Sequence, residues 1–135
     1  MNKINREQAE IEVQSWLAKK KIFDETKESL KAHVDVLIEA VVNGVLILNP
    51  ETFEFTHKLL HPIGDGDVAT INEFKYKARI NDKQKSPYMK GVKGDDFEGS
   101  FNALLAALTS TSRGEIALMD TTDKRIASAI GVFFT

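Results

Sequence analysis

Three features of the sequence together predict an α+β fold in one domain. Two segments near the N-terminus carry apolar residues at helical spacing, the period changes from 3.6 to 2 after Gly44, and helical patterns return after residue 96. At 135 residues the chain has single-domain length and can bury a core without staples. The expected parts are an N-terminal helical hairpin (1–44), a small antiparallel β-meander of about three strands (45–80), a basic loop (81–96) and two C-terminal helices (97–135).

Plotted at 100° per residue, Leu30, Val34, Leu37, Ile38 and Val41 share an arc of about 100°. Ala9, Val13, Trp16 and Leu17 take the same relative positions in the first helix, with Lys20 in the fifth place. Asn5 followed by Gln8 resembles a capping box, and Lys19-Lys20-Lys21 suits the negative end of a helix dipole better than a nucleic-acid tract. Asp24 or Thr26 can cap the second helix, and Gly44 can stop it.

Beyond Gly44, Val45–Leu48 and Phe53–Leu59 flank the turn Asn49-Pro50-Glu51-Thr52, which predicts a β-hairpin. Pro62 and Gly64-Asp65-Gly66-Asp67 form the next turn. Phe74, Tyr76, Ala78 and Ile80 then alternate with Lys75, Lys77 and Arg79, a strand with one buried and one basic face. Residues 81–96 follow neither period, and a loop of that length tends to be functional or disordered. Asp95-Asp96 can cap a helix whose arc is Phe97, Phe101, Leu104, Leu105 and Leu108. Asp120 or Thr121 starts the last helix, with Ile126, Ile130, Phe133 and Phe134 on its arc. The arcs recur at unequal intervals, so they share a period without forming an internal repeat.

The absence of cysteine excludes a disulfide scaffold, thiolate zinc sites, iron–sulfur clusters and a Cys nucleophile. The longest apolar run, Val45-Leu46-Ile47-Leu48, cannot span a bilayer, and the N-terminal residues do not resemble a secretory signal. A soluble, cytoplasmic protein is expected. His57 and His61 suggest a metal pair, but on a strand positions four apart lie about 13 Å from each other, so no metal site is expected. Gly64-Asp65-Gly66-Asp67 begins like a calcium loop, yet its twelfth position from Asp65 is Tyr76, so it reads as a turn. His33 sits at the edge of an apolar helix face. There is neither a Gly-x-Ser-x-Gly nucleophile motif nor a phosphate-cradling glycine loop. Gly91-Val92-Lys93-Gly94 has the GxxG form of nucleic-acid-clamping KH modules but lacks a regular helix before it.

Charge is more informative. Residues 75–93 hold seven Lys/Arg and one acid, a charge of +6, which leaves −8 on the remainder of a chain whose total is −2. An ordinary solvated surface is the alternative reading, and Tyr88 and Met89 within the stretch favour a contact loop, being residue types that anchor interfaces.

At this point the chain resembles the small tail assembly chaperones of long-tailed bacteriophages. The matching segments, in order, are Leu37-Ile38-Glu39-Ala40-Val41-Val42-Asn43-Gly44, the hairpin carrying Phe53 to Pro62, and Ile71-Asn72-Glu73-Phe74-Lys75-Tyr76-Lys77-Ala78-Arg79. They continue with Met89-Lys90-Gly91-Val92-Lys93-Gly94-Asp95-Asp96, Leu104-Leu105-Ala106-Ala107-Leu108-Thr109, Leu118-Met119-Asp120-Thr121-Thr122-Asp123 and Phe133-Phe134. The likeness spans residues 35–135 and lies in their order. Two departures stand out: an additional helical segment containing Trp16, and Ser110 where many members have glycine.

The resemblance implies a non-enzymatic protein without catalytic residue, cofactor or metal. Such a protein binds the tape-measure protein and brings tail-tube subunits to it during tail morphogenesis in the cytoplasm of the bacterial host. Members of that family often occur also as a longer product of translational frameshifting; for this chain that product and self-association are left open. The expected partner contacts are Lys83, Lys85, Tyr88, Met89, Lys90 and Lys93, with the basic strand face beside them. The competing reading is a small nucleic-acid-binding regulator using the basic strand and loop, Lys75, Lys77, Arg79 and the lysines that follow; an enzyme based on His57 and His61 ranks third.

Overall fold

A computed structural model describes residues 3–64 and 70–135. The fold is α+β: helices from both ends of the chain cover one face of a three-stranded antiparallel sheet of order β1-β2-β3.

Helix α1 (Arg6–Lys19) starts where the Asn5 side chain accepts the Gln8 N–H at 2.8 Å, half of the expected capping box. It buries Ala9, Val13, Trp16 and Leu17. It ends at Lys21, whose φ of 59° lets Ile22 N–H return to the Leu17 carbonyl. The expected second helix is divided into α2 (Asp24–Ser29) and α3 (Lys31–Val42) by Leu30, at φ −108°, ψ 23°. The division has a simple cause: α2 contributes no buried residue, and the apolar arc starts only at Leu30. Phe23 stands at the cap of α2, and Asp24 is its first residue. Gly44, at φ 74°, stops α3, with its own N–H bonded to the Val41 carbonyl and that of Val45 to the Ala40 carbonyl.

Strands β1 (Leu46–Leu48), β2 (Phe55–Ile63) and β3 (Ile71–Tyr76) form the meander. Asn49 holds the first turn by accepting the Glu51 and Thr52 N–H groups at 2.8 and 3.1 Å. Leu46, Leu48, Phe55, His57, Phe74 and Tyr76 face inward, while Ile47, Lys58 and Lys75 face out. β3 stops four residues short of the expected Ile80. Tyr76 opposes Phe55, the first residue of β2, so no partner strand continues past it, and Lys77 N–H turns to the Leu108 carbonyl at 2.9 Å. β2 runs through Pro62 instead of turning there, within a register break between Lys58 and Ile63 where a missing N–H costs no pairing. The following turn, apart from Gly64, lies outside the described residues.

The segment 81–96 is more regular than expected. Asn81 and Gln84 form a reciprocal capping box that starts α4 (Asp82–Lys85), and a 3-10 turn at Ser86–Met89 continues it. The Asp96 side chain then caps α5 (Phe97–Thr109) by accepting Gly99 N–H at 2.8 Å. Phe97 leaves the expected arc and is 82% exposed, because α5 enters the core only further on, where every residue from Ala103 to Leu108 is buried. α6 (Arg113–Ala117), capped by Ser112, was not foreseen; it buries Ile116. α7 (Thr121–Gly131), capped by Asp120, closes the fold, followed by a 3-10 turn at Val132–Phe134.

Ser110 ends α5 in the left-handed region, at φ 55° and ψ 42°. A β-carbon is strained there. Ser110→Gly is expected to stabilise the protein by about 0.5–1 kcal/mol, relief of that strain outweighing the added freedom of the unfolded chain. A urea midpoint that rises without a change in slope would meet this expectation, and one that falls would contradict it.

Candidate functional site

Two groupings of polar residues emerge, one sealed and one exposed. The sealed one joins β2, β3 and α7. Asp123, in the first turn of α7, is fully buried. Its Oδ1 accepts Leu60 N–H at 2.9 Å and its Oδ2 accepts His61 N–H at 2.9 Å. Those N–H groups lie within the register break of β2, so the carboxylate replaces the partners that β3 does not supply. The imidazole of His57, also fully buried, has Nε2 3.1 Å from Asp123 Oδ1 and Nδ1 2.9 Å from Tyr76 Oη.

The proton arrangement follows from chemistry. Burial, then the Asp123 charge, raise the Tyr76 phenol well above its ordinary value, so its hydroxyl is protonated and donates to Nδ1. Nε2–H therefore donates to Asp123, and the ring is neutral. Burial lowers His57 below the usual 6.5, while the Asp123 charge and hydrogen bond act in the opposite direction. This Asp–His–Tyr line has the connectivity of a proton relay, but all three side chains are at most 1% exposed and no solute reaches them. In this structure it fastens the strand break to α7.

The sign of the pH effect is fixed by that depression. As pH falls through about 6.5 the unfolded chain binds the His57 proton before the folded one does, so stability is complete above that pH and declines below it, by up to about 1.4 kcal/mol per pH unit. Urea midpoints taken from pH 7.5 to 5 are expected to fall in the wild type and to fall less in His57→Gln. Equal slopes would contradict the assignment.

His57 and His61 are not brought together: His57 faces inward, and His61 faces solvent with its Nε2 3.8 Å from Asp120. Among the described residues no group of three or more His, Asp and Glu is placed to hold a metal. The sequence reading missed Asp123, although a signal was present: it lies three residues before Ile126 and seven before Ile130, a charge on an apolar helix face.

The exposed grouping is the basic segment. Lys75 lies on the outer face of β3, and Arg79 is exposed beyond its end. Lys83, Lys90 and Lys93 are exposed, whereas Lys85, Tyr88 and Met89 are half-buried, with Tyr88 packed against the core. Arg113 fixes the segment by donating Nη2–H to the Lys90 carbonyl at 2.7 Å, beside Gly91 at φ 82°. The GxxG stretch is thus a stapled turn between a 3-10 turn and α5. None of the seven Lys/Arg between 75 and 93 is in an ion pair with a described residue.

The lysine run of α1 borders this surface. Lys20 Nζ stands 3.3 Å from the centroid of the Phe134 ring and 5.7 Å from that of Trp16. Burial, then the neighbouring Arg79 guanidinium, lower Lys20 to about 8, against the ring faces that favour its charged form. Among the described residues no helix is long and apolar enough to cross a membrane. Comparison of the chain with family models, curated proteins and solved structures finds no match in any of the three.

Proposed function

We propose that this chain is a phage or prophage tail assembly chaperone, a non-enzymatic protein that binds the tape-measure protein and tail-tube subunits during tail morphogenesis. The observation that carries the reading is the basic segment: seven cations without an ion partner among the described residues, the last four of them on a ledge held by the Asn81–Gln84 box and the Arg113 staple. Fixed charge of one sign favours encounter with an oppositely charged partner surface. The ordered likeness over residues 35–135 supplies the partner's identity. A helical tape-measure protein exposes amphipathic surface before the tube encloses it, and such a surface calls for a binding protein.

A nucleic-acid partner is less well supported. The aromatic residues of β3, Phe74 and Tyr76, are buried on the inner face and offer no stacking platform beside the outer lysines.

Co-expression tests the proposal. The tape-measure protein is expected to remain soluble and to co-purify with the chain at low salt, and Lys83→Glu/Lys90→Glu/Lys93→Glu is expected to reduce its recovery. Absence of a complex at low salt would overturn the proposal; a complex that ignores charge reversal would remove the ledge from it.

A further inference from the structure

A second surface lies away from the basic ledge. A cleft of about 890 Å³, open to solvent, runs beside α3 and is closed on its other side by β2 and α7. Its apolar lining comes from Val36 and Ala40 of α3, Leu60 of β2 and Ile126 of α7. Leu60 is 37% exposed and Val36 half-buried, so these two are accessible, while Ala40 and Ile126 are buried and form the floor. The residues that border it along α3 and its C-cap extend from Ala32 to Asn43, about 16 Å or three turns.

The charged groups sit around this lining instead of converging on one point. Asp35 stands on the α3 side, Arg125 on the α7 side, and Lys3 precedes α1. None of these three is in an ion pair with a described residue. Arg6 and Glu39 also border the cleft but neutralise each other at 3.1 Å. An open apolar trough with separated charges of both signs suits an elongated amphipathic ligand better than a compact small molecule, for which polar groups converge.

We infer that this cleft docks an amphipathic helical segment of the partner, about three turns long, with its apolar stripe on Val36 and Leu60 above the floor at Ile126, acidic residues toward Arg125 and Lys3, and a basic residue toward Asp35. Only the partner's identity rests on the function proposed above; the cleft's preference for such a helix rests on its own shape and charge.

The probe is a fluorescent three-turn helical peptide with leucines at i, i+4 and i+7, glutamates on one flank and lysine on the other, alongside a peptide with those flanking charges exchanged. Fluorescence anisotropy against the full chain is expected to show saturable binding of the first peptide. Binding should be at least about tenfold weaker to Val36→Lys, since an apolar anchor is lost, and weaker for the exchanged peptide. Arg125→Glu should restore part of the affinity for the exchanged peptide, while circular dichroism confirms that both variants are folded. No binding, or equal binding by wild type and Val36→Lys, would overturn the inference. So would a dimer in sedimentation that Val36→Lys dissociates, because the occupant is then a second copy. The two proposals fail separately: tape-measure capture that persists in Val36→Lys while the peptide does not bind removes the cleft alone. Peptide binding without tape-measure capture removes the partner and leaves the cleft.

Discussion

Asp123→Ala is expected to cost about 3–5 kcal/mol of folding stability, a large share of the 5–15 kcal/mol typical of a small domain. Three donors lose their acceptor at once: the N–H groups of Leu60 and His61 and Nε2–H of His57. The His57 donor is then unsatisfied where water does not reach, and the two backbone donors lose their acceptor in a part-buried stretch that β3 does not pair. Asp123→Asn keeps the shape but places an amide NH₂ against a backbone donor, and about 2–3 kcal/mol of loss is expected. Asp120→Ala gives the scale, because this carboxylate three residues earlier caps α7 at the surface and its removal should cost about 1 kcal/mol. Urea unfolding of the three variants checks the order, and an Asp123→Ala loss no larger than that of Asp120→Ala would contradict the role assigned to the network.

Trp16→Ala is expected to cost about 3–5 kcal/mol as well, for a different reason. The indole is 1% exposed and packs against Phe55 at 5.0 Å, Phe133 at 5.7 Å and Phe134 at 6.2 Å between ring centroids. It therefore joins α1, the sheet and the C-terminal turn in one contact. The consequence reaches beyond one side chain: the N-terminal helical segment, a departure from the proposed family, is part of the shared core. A chain shortened to begin at Lys31 is expected to lose cooperative unfolding. If that fragment unfolds cooperatively at the wild-type midpoint, α1 is an appendage and the packing argument is wrong.

Much of the architecture was legible because it is local. The apolar arcs of α1 and α3, the change of period at Gly44 and the caps at Asn5, Asp96 and Asp120 each depend on residues within a turn of one another. The parts that differed depend on distant partners. β3 ends at Tyr76 because β2 begins at Phe55, a fact that the alternation through Ile80 does not contain. The segment 81–96 gains its order from Arg113, more than twenty residues away, as well as from its own Asn81–Gln84 box. Asp123 finds its partners some sixty residues earlier in the chain. Ser110 is an intermediate case: the comparison with glycine at that position flagged it, and its left-handed backbone gives the physical reason.

Of the candidate contact residues, Lys83, Lys90 and Lys93 are exposed, whereas Tyr88 is partly committed to the core. The cleft beside α3 was not legible at all, since its lining joins three elements whose arrangement no single segment encodes.

On the proposed function the chain works by holding a tape-measure protein. Tandem affinity purification of the tagged chain from the cell that produces it, followed by mass spectrometry, tests this most directly. The account predicts tape-measure protein as the leading co-purified species, accompanied by tail-tube subunits. Recovery of the chain with nucleic acid, or with other proteins and no tape-measure protein, would contradict it.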